Sequence, residues 1–168
     1  MKHRYGFVSN SSSSSYIVIF KGTAVQKDIP EKAFNEKGEL PIPNDFGNYS
    51  FGWDTKWYGS TLDRINFAFC QLMYLCDENF PPKEGEAYEL FLMFEEVLKE
   101  EGITPKYIIL KKDAKEEGRW LCAMDYDFYI DHQSSAIEGV NMEMFDSRES
   151  LHDFLFNEGS GIQGGNDN

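Results

Sequence analysis

The sequence predicts an α+β fold, in which two to three amphipathic helices cover a small, mostly antiparallel sheet. Two observations carry this prediction. Apolar residues recur every three or four positions over residues 61–78 and 86–101, which is typical of helices with one buried face. Short runs rich in β-branched and aromatic residues occupy positions 16–20, 107–110 and 120–130, which is typical of strands. Packing these elements around one aromatic core gives two layers.

The first predicted strand, residues 16–20, is followed by a long aromatic segment at residues 21–60. The strand is apolar on both faces, so we expect it to be buried. In the segment after it, prolines and glycines interrupt any long element, and six aromatic residues lie between positions 46 and 58. Because so many aromatic side chains would not be left in water, we expect an ordered loop with short strands. The loop is either a lid over the core or a surface that stacks a ligand ring.

The two central helices have recognisable ends. Ser60 or Thr61 can cap the first helix, and Asp63 follows Ser60 at the spacing of a capping box. Pro81 ends this helix. Gly102 follows the second helix and is a natural left-handed stop.

Residues 107–110 and 120–130 are expected to pair as a hairpin, with the charged segment 111–118 as its turn. A sheet would then contain both of these strands and the strand at residues 16–20.

A third helix is predicted over residues 147–156, where it closes an edge of the sheet. Asp146 and Glu149 have capping-box spacing at its start. The Gly-rich segment 159–168 is expected to be a disordered tail. Residues 1–158 are then one α+β domain.

The composition favours a folded cytoplasmic protein. The chain has 168 residues, 41% of them apolar and 15% aromatic, which is enough core material for one domain. We expect neither a membrane span nor a secretory signal, because the apolar runs are short. The cysteines Cys70, Cys76 and Cys122 lack the close spacing of a redox or zinc motif, and we interpret them as buried, reduced thiols.

The net charge is −13, and most of it lies in the last quarter of the chain, which contains ten acidic residues and one basic residue. Like charge repels phosphate, so direct nucleic-acid binding is not expected. Carboxylates spaced along a strand and a helix can instead occupy a basic groove, which favours a non-enzymatic protein that binds a basic protein partner. The candidate partner-binding residues are Asp125, Asp127, Asp131, Glu138 and Glu143.

The same segment allows an alternative, a metal-dependent enzyme that acts on a phosphoester. Side chains alternate along a strand, so Asp125, Asp127 and Asp131 would share one face. A divalent cation would relieve their mutual repulsion, and His132 could join it or act as a base. A solvated face of an amphipathic strand explains the same pattern without any metal. No other cofactor is expected.

The N-terminus carries the most distinctive motif, a run of polar residues between two apolar runs. Its candidate residues are Arg4, Gly6, Phe7, Ser9, Asn10, Ser11, Ser12, Ser13, Ser14 and Ser15. This stretch resembles the opening of a set of small, uncharacterised proteins from tailed phages and prophages. The resemblance implies a phage origin and a bacterial host cell, and no particular activity. The run itself is interpreted as a polar turn, as a processing or docking tag, or as a cradle for phosphate.

A further alternative is an ADP-ribosyltransferase-like protein. Those enzymes use an arginine, then a serine-rich strand, then two glutamates one residue apart, and Arg4, the run Ser9 to Ser13, Glu84 and Glu86 occur in that order. The glutamate pair precedes a predicted helix rather than a strand, which weighs against this interpretation.

Overall fold

The computed structural model describes residues 2–6, 16–22, 24–48, 50–51, 56–76, 81–108, 129–130 and 142–164. It confirms the α+β class. In chain order the elements are β1 (Lys2–Gly6), β2 (Tyr16–Phe20), a 3₁₀ turn (Glu31–Ala33), β3 (Leu40–Ile42), β4 (Ser50–Phe51), β5 (Trp57–Tyr58), α1 (Thr61–Cys76), α2 (Gly85–Glu100), β6 (Pro105–Tyr107), β7 (Tyr129–Ile130), a 3₁₀ turn (Met142–Phe145), α3 (Arg148–Phe156) and β8 (Gly161–Gln163).

The main sheet has the order β1-β2-β8-β5, and every neighbouring pair in it is antiparallel. Strand β2 lies inside the sheet, as its apolar sequence predicts. Ile17 stands opposite Ile162 of β8, and both side chains belong to the core. Two smaller parallel pairs, β3 with β6 and β4 with β7, lie outside this sheet.

The predicted partners of β2 were wrong. Strand β6 overlaps the predicted strand 107–110 at Tyr107 alone, and it pairs in parallel with β3. Tyr129–Ile130, the end of the predicted strand 120–130, pairs in parallel with β4. Residues 109–128, where the hairpin turn was expected, lie outside the described residues. An apolar run indicates that a segment is extended, but its pairing depends on contacts with segments far away in the sequence.

The prediction of a disordered tail is also wrong for residues 159–164. Strand β8 lies between β2 and β5, and Ile162 is only 2% exposed. Glycine there serves close packing rather than disorder, because a Cβ on Gly161 would come within 2.6 Å of the Trp57 ring and of the Tyr58 carbonyl oxygen. Residues 165–168 lie outside the described part of the chain.

The three predicted helices are present. At the start of α1, the Ser60 hydroxyl accepts from the Asp63 amide at 3.1 Å and the Asp63 carboxylate accepts from the Ser60 amide at 3.3 Å, which is the predicted capping box. Gly102 ends α2 with a φ of +74°. Helix α3 is capped one residue later than predicted, because the Ser147 hydroxyl accepts from the Ser150 amide at 3.0 Å.

The aromatic segment 21–60 contributes to the core on one side and to the surface on the other. Phe51 and Tyr58 are buried with ring centroids 5.0 Å apart, and Phe51 also packs edge-on against Phe67 of α1. Phe46 and Trp57 are 48% and 43% exposed. Part of the segment therefore covers the core, and part of it presents rings to solvent.

One charged side chain lies deep inside this core. Arg64 of α1 is fully buried, and its guanidinium donates to the carbonyl oxygens of Phe154 at 3.3 Å and Asn157 at 2.6 Å, at the end of α3. Burial lowers its pKa to about 10, although the charges of Asp28 and Asp63 act in the opposite direction. The arginine therefore remains protonated at neutral pH and donates to two carbonyl groups at the end of the helix, of which that of Asn157 also accepts from the Ser160 amide at 3.2 Å.

Candidate functional site

A row of glutamates lies along one face of α2. Glu86, Glu89, Glu96 and Glu100 are exposed, and their spacing of three, four and seven residues places them on one side of the helix. The opposite side carries the buried residues Phe91, Phe94, Val97 and Leu98. We call these four glutamates the acidic stripe. At 1.5 Å per residue, it extends over about 21 Å of the helix.

Most of the acidic stripe is not neutralised by neighbouring cations. Within the described part of the chain, no ion pair joins Glu86, Glu89 or Glu96 to a basic residue. Glu100 is paired with Arg148. Lys99, the nearest base in sequence, binds Glu95 at 3.4 Å, on another side of α2. Three carboxylates of the stripe therefore face solvent without an ion-pair partner in the part of the chain that the structure describes.

The Glu100–Arg148 pair also places the start of α3 beside the end of the acidic stripe. Asp146 and Glu149 flank Arg148 in sequence and are exposed. Acidic residues of the C-terminal region thus lie close to acidic residues of α2. This arrangement extends a negative surface across two helices, interrupted by one arginine.

A second titratable cluster lies on the α2–α3 contact and holds elements together. The Glu101 carboxylate contacts Lys27 through one oxygen and His152 Nε2 through the other, the latter at 2.7 Å. Burial acts to raise the pKa of Glu101, but the hydrogen bonds and charges of Lys27 and His152 outweigh it and lower that pKa. The cluster is internally neutralised, so its role is to join the 24–30 segment, α2 and α3.

Two acidic residues of the C-terminal region point away from solvent. Asp153 is only 7% exposed, and burial together with the charge of Glu149 raises its pKa. Its Oδ1 accepts from Asn157, and its Oδ2 is buried without a hydrogen-bond partner among the described residues. Burial and the charge of Asp146 likewise raise the pKa of Glu143. These two carboxyls are poorly placed to attract a partner.

Glu143 is the single member of the predicted partner-binding set that falls within the described residues. It is half-buried, and its Oε2 is enclosed, so at most one of its oxygens faces outward. The other members, Asp125, Asp127, Asp131 and Glu138, lie outside the described residues, as does His132 of the predicted metal site. The structure therefore does not bring these predicted residues together in one described site.

The N-terminal motif is split in the same way. Arg4 and Gly6 lie on β1, where they stand opposite Val18 and Tyr16 of β2. Phe7 and the polar run from Ser9 to Ser15 lie outside the described residues. The strands on the two sides of the run, β1 and β2, pair with each other in the main sheet, so residues 2–6 and 16–20 contribute to the fold whatever else the motif does.

The two glutamates of the ADP-ribosyltransferase interpretation, Glu84 and Glu86, lie at the start of α2. Glu84 is the N-cap residue and Glu86 is in the first turn. The predicted helix after this pair is therefore present, where that enzyme pattern places a strand.

Among the residues that the structure describes, no group of three or more His, Cys, Asp and Glu side chains has the arrangement of a metal site. Cys70 and Cys76 are buried, as the sequence predicts, and Cys122 lies outside the described residues. No described helix is long and apolar enough to cross a membrane.

Comparison of the chain with protein-family models, with curated proteins and with solved structures gives no significant match. The acidic stripe was not among the candidate sites predicted from the sequence. The recurrence of Glu at positions 86, 89, 96 and 100 is the signal that identifies it, because these positions share one face of a helix.

Proposed function

We propose that the protein is a non-enzymatic phage or prophage accessory protein that binds a basic host or phage protein in the cytoplasm of the bacterial cell. The observation that supports binding is the acidic stripe, in which Glu86, Glu89 and Glu96 have no ion-pair partner among the described residues. The phage origin is supported by the N-terminal resemblance.

The physical basis is electrostatic attraction at short range followed by pairing. Charges more than about 8 Å apart are screened at physiological salt, so different parts of the stripe, which is about 21 Å long, attract different basic groups of a partner. A partner with basic residues along a helix or groove would meet several carboxylates at once. Such complementarity mainly raises the association rate and selects partners by charge.

Capture from infected or lysogenic cells tests this proposal. The wild-type chain, the variant Glu89→Gln/Glu96→Gln and the control Glu31→Gln/Glu36→Gln serve as baits, with bound proteins quantified by mass spectrometry. Both variants lose two negative charges, and Glu31 and Glu36 are also exposed. We expect wild type and control to retain one basic protein that the stripe variant loses. Equal retention by all three baits contradicts a role for the stripe.

The C-terminal acids are tested in parallel. The variant Asp125→Asn/Asp127→Asn/Asp131→Asn should weaken capture of the same protein if these residues extend the binding surface. If only the Glu89→Gln/Glu96→Gln variant fails, binding is confined to α2.

Thermal melts with and without Mg²⁺, Mn²⁺ or Ca²⁺ separate this proposal from the metal-dependent enzyme. A cation that binds the native state raises the melting temperature by mass action. We expect no shift. A shift that disappears in the Asp125→Asn/Asp127→Asn/Asp131→Asn variant would replace the binding proposal with the enzyme.

A further inference from the structure

Hydrogen bonds of three side chains tie the end of α3 to β2 and to the start of β8. The Ser160 hydroxyl donates to the Asp153 carbonyl oxygen at 2.8 Å and accepts from the Phe20 amide at 2.9 Å. The Asn157 side-chain amide donates to the Phe20 carbonyl oxygen at 2.9 Å and to Asp153 Oδ1. We call these four residues the strand junction. Asp153, Asn157 and Ser160 are buried, so these bonds are shielded from water.

The strand junction holds one end of β8 in the main sheet. Ser160 directly precedes Gly161, the first residue of this strand. Strand β8 has three residues, and beyond its other end the Gly164 amide donates to the Lys56 carbonyl oxygen at 2.8 Å. A strand this short makes few hydrogen bonds with β2 and β5, so its place between them depends on the contacts at its two ends.

The Asp153 carboxyl is the acidic group of the strand junction, and one of its oxygens is unbonded. Oδ1 accepts from Asn157, whereas Oδ2 is enclosed and has no hydrogen-bond partner among the described residues. A neutral carboxyl in this position leaves one polar atom unpaired. A carboxylate leaves a negative charge with neither water nor a donor on that oxygen, which costs considerably more. The strand junction is therefore sensitive to the charge of Asp153.

Charged groups act on Asp153 from several elements. Glu149, one turn earlier on α3, repels its negative charge, while His152 and Lys21, the latter directly after β2, attract it. Charged groups of the other elements packed on α3 have contacts elsewhere, namely Arg64 of α1 with the Asn157 carbonyl oxygen, Glu100 of α2 with Arg148, and Glu101 with His152. In the turn before α3, the charge of Asp146 acts on Glu143. Burial and Glu149 prevail, and together they raise the pKa of Asp153.

The direction of the pH dependence follows from this raised pKa. A carboxyl whose pKa is raised on folding supports the folded arrangement fully below its unfolded pKa, about 3.9 for an aspartate. That support is lost as the pH rises through the folded pKa. Acid therefore closes the strand junction, and a rise in pH loosens it.

We propose that Asp153 is a proton-operated latch, which holds β8 between β2 and β5 when its carboxyl is neutral and releases the strand more often when the carboxyl is ionised. Release uncovers Ile162, which is 2% exposed in the closed sheet, and frees one hydrogen-bonding edge of β2. The latch does not depend on the acidic stripe or on the function proposed above.

Amide hydrogen exchange of the full chain, followed by NMR from about pH 4 to about pH 8, tests the proposal. Dividing the intrinsic exchange rate by the measured rate gives a protection factor, which removes the pH dependence of the exchange chemistry. We expect the protection of the Gly164 and Phe20 amides to fall about fivefold or more as the pH rises, the factor that corresponds to the lower end of the cost of an unsatisfied buried polar group. The Leu40 amide, which donates to the Thr104 carbonyl oxygen, should keep its protection and so distinguishes release of β8 from global unfolding.

Three variants complete the test. Asp153→Asn keeps an Oδ1 acceptor and removes the charge, so the Gly164 and Phe20 amides should stay protected throughout the pH range. Asp146→Asn is the matched control, because the exposed Asp146 loses the same charge outside the strand junction, and the fall seen in wild type should persist. If Asp153→Asn fails to fold, Glu149→Gln provides the test. It removes a charge that raises the pKa of Asp153, so the fall should move to lower pH, which a purely structural role of Glu149 would not produce. Protection in wild type that does not change with pH overturns the proposal, and so does an equal fall in Asp153→Asn or at the Leu40 amide.

Discussion

Replacing Arg64 by Met should cost the protein about 3 kcal/mol of its free energy of unfolding. The substitution keeps an unbranched side chain but removes the donors to the Phe154 and Asn157 carbonyl oxygens. The buried Phe154 oxygen is then left without this donor, which costs about 1–3 kcal/mol. The Asn157 oxygen keeps the Ser160 amide at 3.2 Å and loses one charge-assisted hydrogen bond, which costs about 1.5–3 kcal/mol. Both losses together cost about 2.5–6 kcal/mol. Methionine also removes the penalty of burying a charge, which brings the expected loss toward the lower half of that range.

The measurement is urea unfolding followed by circular dichroism, supported by thermal melts. For a chain of this size, a loss of 3 kcal/mol corresponds to a fall of roughly 10 °C in melting temperature. Arg148→Met is the control, because Arg148 is 54% exposed and makes a surface ion pair with Glu100. Such pairs contribute about 0–1 kcal/mol. If both variants lose the same stability, Arg64 does not stabilise the end of α3 as described.

Three further outcomes are expected. Deleting residues 159–168 should abolish cooperative unfolding, because it removes β8 from between β2 and β5, whereas deleting residues 165–168 should not. A near-native melting temperature of the chain that lacks residues 159–168 would refute this. Asp153→Asn should raise stability by about 1 kcal/mol at pH 7. The pKa of Asp153 is raised on folding, so the gain in stability should vanish as the pH falls below the pKa of the unfolded state, about 3.9. A gain that does not change with pH would contradict this explanation. Glu101→Gln should lower stability by about 0.5–1 kcal/mol at pH 7. The pKa of Glu101 is lowered on folding, so the carboxylate should contribute to stability above about pH 4.3 and lose that contribution at lower pH. If the free energy of unfolding depends on pH in the same way for the variant and the wild type, this prediction is wrong.

Local patterns in the sequence predicted the helices well. The capping box of Ser60 and Asp63 and the left-handed Gly102 are contacts between residues close in sequence, so the spacing of residue types was sufficient. The pairing of strands was not predictable in this way. Strand β2 pairs with β8, whose central residue Ile162 lies 145 positions after Ile17, and a single sequence contains no signal for that contact.

Glycine-rich composition was misleading at β8. Glycine-rich composition is typical both of mobile tails and of places where two chain segments come very close. For Gly161 the structure identifies the second case, because the Trp57 ring leaves no room for a Cβ. The burial of Arg64 was not predictable either, because nothing in the sequence distinguishes it from an exposed charged residue of a helix. The surface charge of α2 was visible in the sequence, but the absence of neutralising neighbours required the structure.

The late position of β8 in the chain has a consequence for biosynthesis. During translation, β1 emerges before β2 and supplies the partner for one of its edges, while the strand that occupies the other edge emerges only after some 140 further residues. The nascent chain thus carries an incomplete sheet until Gly161–Gln163 leave the ribosome, and such long-range pairing is slow. Open apolar strands of this kind are binding sites for chaperones and starting points for aggregation, so the yield of folded protein should depend on conditions late in synthesis.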